Sequence, residues 1–463
     1  MLKRWSQPNG YRQVLALGLP LVISMASTTV MHFTDRMFLA NYSLETIAAA
    51  MPAGLAAFVF QAFFMGAAGY VNVFVAQYLG SGAPRRVGAA LWAGIWFSII
   101  SGALLAAQGL VAEPLFALAG HSPEIQALEV SYFRWLCLGS GIGVLQSSLS
   151  CFFSGRGRTR PVMLINLAGA AVNVPLDYAL INGVWGFPEL GIVGAAWATI
   201  AGWVVMAVLF ALAIFTPRQE KAFAVISAWR PEKELFLRLM RFGLPAGVQF
   251  WLDIAAITLA VFFVGRLGTL ELAATTIAFS ISTLSFLPML GFSIAVSTLV
   301  GQAVGAGRPE MAEAATTSTI HVTLAYMGLV ALVFLAFPAW LVEPFLPRDV
   351  GPDQAAALVD LGSTLVRYVA LYTLFDAMGI IYIGALKGAG DSRFVMLNMA
   401  AVAGLFLVLP TYLGVNHLGW DIHRVWFCII VYLVVLGLTN WRRYRRGAWR
   451  RMRVVETAAP ARG

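Results

Sequence analysis

The chain has 463 residues, of which 60% are apolar and 11% charged, with a mean hydropathy of +0.79 and a formal net charge of +9. Soluble domains carry roughly 25% charged residues, so the composition excludes a soluble enzyme or binding module. The apolar stretches run from end to end, which excludes a soluble domain on a single anchor.

A bilayer crossing takes about 20 residues. Twelve such stretches are predicted, at 14–39, 47–70, 88–111, 132–153, 161–181, 192–215, 242–264, 272–299, 316–337, 366–386, 395–414 and 425–441. The predicted fold class is therefore all-α, a polytopic membrane protein. Lys3, Arg4 and Arg12 precede the first stretch, but no small-residue cleavage site follows, so no detached signal peptide is expected. Cys137, Cys151 and Cys428 lie in apolar stretches without paired spacing, and neither a disulfide nor a metal site is expected of them.

The positive charge is distributed like that of a membrane protein rather than a nucleic-acid binder. With the N-terminus inside, 25 Lys and Arg fall on the inner side. Six fall outside: Arg36, Arg134, Arg266, Arg348, Arg367 and Arg424. This asymmetry predicts a multi-pass protein of the plasma (cell inner) membrane with both termini cytoplasmic. The run Arg442, Arg443, Arg445, Arg446, Arg450, Arg451 and Arg453 reads as a stop signal meeting anionic lipid.

The chain repeats itself. Gly18-Leu19-Pro20 recurs as Gly243-Leu244-Pro245, an offset of 225. At the same offset Gln77, Gly80, Gly82 and Pro84 meet Gln302, Gly305, Gly307 and Pro309. Further on, Gly155, Gly157 and Arg160 meet Gly388, Gly390 and Arg393 at an offset of 233. The expected organisation is an N-lobe over 1–215, a cytoplasmic connector over 216–241, a C-lobe over 242–441 and a basic tail over 442–463. The lobes are two pseudo-symmetric six-helix bundles of the same topology, an arrangement that transporters use with the site between repeats.

Asp35, Asp177, Asp253 and Asp376 lie deep in apolar stretches. Each costs on the order of 3 kcal/mol at the bilayer centre on insertion scales, and such acids usually face a wet cavity or bind something. None is matched by an acid in the other repeat, which favours function over scaffold. Helical rise puts Asp35 roughly 34 Å past Arg12 and Asp177 roughly 25 Å past Arg160. Asn173 precedes Asp177 by four residues on one helix face, and Thr199 falls at a similar depth. Two carboxylates, an amide and a hydroxyl make an oxygen cluster suited to Na⁺, or to a proton that replaces it. Asp253 and Asp376 form a possible second site for ion or substrate in the C-lobe. Pro20 and Pro245 are expected either to kink their helices or to start them. The residues read as the coupling machinery of a cation transporter.

Taken together, these residues resemble the multidrug and toxic compound extrusion (MATE) family over about residues 10–445. Gly18-Leu19-Pro20 with Phe33-Thr34-Asp35 resembles its first helix. Asn173-Val174-Pro175-Leu176-Asp177, Pro188-Glu189-Leu190-Gly191 and Gly194-Ala195-Ala196-Trp197-Ala198-Thr199 resemble its fifth and sixth. Leu386-Lys387-Gly388-Ala389-Gly390-Asp391-Ser392 resembles the loop after its tenth. The resemblance implies that Asp35, Asn173, Asp177 and Thr199 form the N-lobe cation or proton site. It also implies that Asp253 stands where the NorM-like branch usually has Glu, and that Asp376 is the tenth-helix acid.

The expected function is secondary active efflux: organic cations or drugs leave in exchange for H⁺ or Na⁺, by alternating access between the lobes. Expected partners are small cationic substrates and membrane lipid, with no nucleic acid, and the expected state is a monomer. No cofactor is expected beyond the coupling ion, and no metal beyond Na⁺. The alternative is a flippase for lipid-linked oligosaccharide or lipid of the same superfamily, whose cavity would be basic, whereas Lys and Arg here avoid the apolar stretches. No phosphate loop, nucleophile elbow or metal spacing is present, so an enzyme is not expected.

Overall fold

The computed structural model describes residues 4–118, 120–346 and 351–456. Lys3 and Arg348, counted in the charge pattern above, and the last seven residues of the basic tail lie outside the described residues. Among the described residues, twelve helices are long and apolar enough to cross a bilayer: α1 Tyr11–Tyr42, α2 Leu44–Gly80, α3 Arg86–Ala117, α4 Pro123–Ser154, α5 Thr159–Asn182, α6 Ile192–Ile214, α7 Lys233–Val264, α8 Thr269–Gly305, α9 Pro309–Ala336, α10 Pro352–Ala389, α11 Ser392–His417 and α12 Ile422–Arg445. Their bounds follow ordinary end chemistry. Ser43 caps α2 through the amide of Thr46, and Asp421 caps α12 through that of Arg424. Pro123, Pro309 and Pro352 sit in the first turns of α4, α9 and α10, where a missing N–H costs nothing. Gly183 and Gly390 end α5 and α10 in the left-handed conformation.

Pro20 and Pro245 lie inside continuous helices α1 and α7. That excludes the helix-start alternative and leaves each as a point where one backbone hydrogen bond is missing. Large apolar side chains such as Leu104, Leu212, Leu329 and Leu332 stay exposed, as a lipid-facing surface requires.

The chain divides into two compact units. The first holds Met1–Val22, Leu252–Val300 and Arg308–Met452. The second holds Ile23–Trp251, Gly301–Gly307 and Arg453–Gly463. The division thus cuts α1, α7 and α8 within the helices. In the first unit, the missing side chain of Gly18 in α1 makes room for the Phe292 ring of α8. In the second, its repeat mate Gly243 in α7 stands over the backbone of Ala67 in α2, where an added carbon would meet the Ala67 carbonyl at 3.0 Å.

The connector is not a free linker. It forms a short helix, Pro217–Phe223, and is pinned to α3 of the second unit. Trp92 and Trp96, one helical turn apart, donate their indole N–H groups to the carbonyls of Val225 and Trp229 at 2.6 and 3.2 Å. Arg156 lies between the rings of Phe152 and Phe223, 4.5 and 4.0 Å from their centroids.

Candidate functional site

The second unit gathers the N-lobe residues. Asp35 comes from α1, Asn173 and Asp177 from α5, and Thr199 from α6. All four are buried, with Asp177 at 0% and Asn173 at 1% exposure. The Asp35 and Asp177 carboxyl groups approach closely enough to interact. Tyr132 of α4 donates its hydroxyl to Asp35 Oδ2 at 3.2 Å. The other Asp35 oxygen, both Asp177 oxygens and both amide atoms of Asn173 have no hydrogen-bond partner among the described residues.

Local sequence explains how the polar atoms are presented. Pro175 lies inside α5 between Asn173 and Asp177. It has no N–H, so the carbonyl of Ala171 loses its helical donor beside the site. Gly202 of α6 permits a close approach. A carbon added there would stand 3.2 Å from Asn173 Cβ and 3.2 Å from Met31 Cε. Unpartnered buried polar groups cost about 1–3 kcal/mol each. The atoms this cluster presents are oxygens plus one amide nitrogen. The cluster fits a monovalent cation, a proton or water. No group of three or more His, Cys, Asp or Glu suited to a metal ion occurs among the described residues.

The first unit brings the C-lobe pair together. Asp253 of α7 and Asp376 of α10 interact electrostatically, and the hydroxyl of Tyr432 in α12 reaches Asp253 Oδ1 at 3.4 Å and Met399 Sδ at 3.2 Å. Both acids are half-buried. Lys387, in the last turn of α10, also interacts with Asp253. A basic residue therefore does reach into a membrane-length helix, contrary to the pattern read from the sequence.

Four polar residues of the membrane helices were not legible in the sequence. Tyr132 and Tyr432 are ordinary aromatic residues by sequence, and only their contacts give them a role. Lys387 reads as a loop charge. Glu129 lies before the stretch predicted from 132, whereas α4 starts at Pro123. It is fully buried, with Oε1 2.8 Å from His121 Nδ1 and Oε2 without a hydrogen-bond partner among the described residues. The basic tail is also more specific than a lipid anchor. Arg443 makes two hydrogen bonds to the buried Asp391 carboxylate, at 2.7 and 3.4 Å, and Arg450 pairs with Glu313.

Known proteins match this chain along most of its length. A family model described as MatE matches residues 20–179 and again 245–413, so that the second match starts 225 residues after the first, the offset of the repeat. A probable multidrug resistance protein NorM of Rhizobium meliloti is 28% identical over 452 residues, which cover 95% of this chain and 94% of the relative. The multidrug resistance protein NorM of Burkholderia vietnamiensis is 32% identical over 442 residues, 92% of each chain. The multidrug resistance protein PmpM of Pseudomonas aeruginosa is 26% identical over 456 residues, 97% of this chain and 89% of the relative. Among solved structures, a MOP superfamily transporter from Pyrococcus furiosus superposes with a TM-score of 0.87 at 20% identity, covering 96% of this chain and 98% of that one. An outward-facing multidrug resistance MATE family transporter gives 0.86 at 21% identity, covering 96% and 97%. At these identities the superpositions show the fold.

Proposed function

The chain belongs to the MatE family of multidrug efflux transporters, multi-pass proteins of the inner membrane and not enzymes, and on that premise we propose that it is a secondary active antiporter. Small organic cations leave the cell as H⁺ or Na⁺ enters, with 1–215 and 242–441 as the alternating lobes and both termini in the cytoplasm. The observation that carries this reading is the buried cluster of Asp35, Asp177 and Asn173, in which every side-chain polar atom except Asp35 Oδ2 lacks a hydrogen-bond partner among the described residues. Two ionised carboxylates side by side in a dry site repel each other, and a bound cation or a proton relieves that. Ion occupancy then has a different cost in each conformation of the surrounding helices. Such a differential affinity is what coupling requires.

Asp253, Asp376, Tyr432 and Lys387 form the second site. We assign it to the organic cation, because its acids are only half-buried and Lys387 offers a tethered positive charge for a substrate cation to displace. The test is accumulation of ethidium or norfloxacin in cells carrying Asp35→Asn, Asp177→Asn, Asp253→Asn or Asp376→Asn. The expected result is loss of export in the first two and altered export in the last two. Wild-type export in all four would end the carboxylate reading.

A further inference from the structure

The second unit also holds the end of α8 with the turn after it, Gly301–Gly307, and the segment after α12 that begins at Arg453. Both are held at the end of α2. Gln77 and Gly80 of α2 are the repeat mates of Gln302 and Gly305 of α8, and the two pairs cross reciprocally. A carbon added to Gly80 would run into the Gln302 carbonyl, 2.8 Å from its carbon atom. One added to Gly305 would run into the Gln77 carbonyl, 2.9 Å from its carbon atom. The helix ends therefore touch backbone to backbone, which only glycine allows at these positions. Gln302 Nε2 also donates to the carbonyl of Gly155 at 2.9 Å.

The tail closes over the same point. The Val454 amide donates to Gln77 Oε1 at 2.8 Å, and Val454 and Val455 are buried. A carbon on Gly307 would sit 3.4 Å from the Arg453 guanidinium. Glu456 then takes the hydroxyl of Tyr78 at 3.1 Å, pairs with Arg238 and lies 3.8 Å from Arg86. Arg86 in turn holds Glu232 at 2.7 Å. One tail carboxylate thus gathers α2, α3 and the start of α7.

We propose that the reciprocal α2–α8 crossing is the cytoplasmic gate of the transport cycle, and that Val454–Glu456 is a latch that holds it shut. The crossing has the properties of a gate. It is small, it sets backbone against backbone at Gly80 and Gly305, and it is made by residues from both repeats. The latch has those of a clasp, since the Glu456 contacts are charge-assisted and partly exposed and so can release. Burial works against the ionised form of Glu456, but the hydrogen bond and charge of Arg238 outweigh it and hold the carboxyl below its usual range. The latch is therefore charged at neutral pH.

The inference takes alternating access as its frame, yet its test needs neither gradient nor substrate and so stands or falls apart from the Asp35 and Asp177 tests. Spin labels are placed at Ser81 and Ala306, just past each helix end, in full-length protein with Cys137, Cys151 and Cys428 replaced. Distance distributions are then recorded in lipid nanodiscs. The expected wild-type result is one dominant short distance. Glu456→Gln, and separately truncation after Met452, are each expected to raise the long-distance fraction at least threefold. Arg450→Ala, which breaks a tail contact made to Glu313 instead, leaves the distribution unchanged. Unchanged distributions in both latch variants overturn the proposal, and so does a shift in the truncation alone, since that would exclude Glu456 as the clasp.

Discussion

Asp177→Asn changes one carboxylate to its isosteric amide at a position with 0% exposure. Neither Asp177 oxygen has a hydrogen-bond partner among the described residues, so the substitution breaks none of those contacts. What disappears is the second ionisable carboxyl of the pair with Asp35, and with it the negative charge that this carboxyl carries when a cation is bound. For a monovalent cation about 4 Å away, at an effective dielectric of about 20, that charge is worth about 4 kcal/mol, or close to a thousandfold in ion affinity. The variant is therefore expected to lose gradient-driven export while its thermal stability stays equal or rises, by up to about 1–3 kcal/mol if the lost charge was uncompensated. Stability is read by a thiol-reactive dye, for which Cys137, Cys151 and Cys428 are ready reporters because all three are buried. Export is read by ethidium accumulation in the same cells. A variant that melts earlier and still exports would refute the reasoning, because it would make Asp177 a structural residue.

Asp253→Asn or Asp376→Asn should raise the half-saturating concentration of a cationic substrate while leaving the ion-gradient dependence in place; transport titrations at fixed gradient check this. Arg443→Ala strands the buried Asp391 carboxylate, which is 5% exposed, and should cost about 3–5 kcal/mol, seen as a lower melting temperature. Substitution of the exposed Arg446 should leave it unchanged. The Glu456 latch contributes on the order of 1 kcal/mol, as half-exposed ion pairs do, and should weaken with added salt. Because the Glu456 carboxyl titrates below its ordinary range, the latch should persist through neutral and mildly acidic pH. It should fail only as pH falls through that lowered value, which the Ser81–Ala306 distance reports.

Much of the fold was legible because the bilayer leaves few options. Apolar length sets the spans, and the recurrence of Gly-Leu-Pro with the Gln-Gly pair at one offset sets the repeat. Asp35, Asn173, Asp177 and Thr199 were legible for the same reason, since polar residues deep in apolar stretches are costly. The structure adds what periodicity cannot carry. Tyr132 and Tyr432 are indistinguishable by type from interfacial aromatics, and only three-dimensional contact shows each donating to an acid. Gln77 and Gln302 appeared as a repeat pair, but their reciprocal packing against Gly305 and Gly80 depends on two helices meeting far along the chain. The tail read as uniformly lipid-directed because a count of arginines does not show that Arg443 and Arg450 have carboxylate partners.

The most direct test of the central claim is organic-cation transport in proteoliposomes, with Na⁺ and pH gradients imposed separately on wild type and on Asp35→Asn and Asp177→Asn. Coupling through the buried pair predicts that one of the two gradients drives wild-type exchange, and that neither gradient drives exchange in either variant. Equal gradient-driven exchange in wild type and both variants would contradict it.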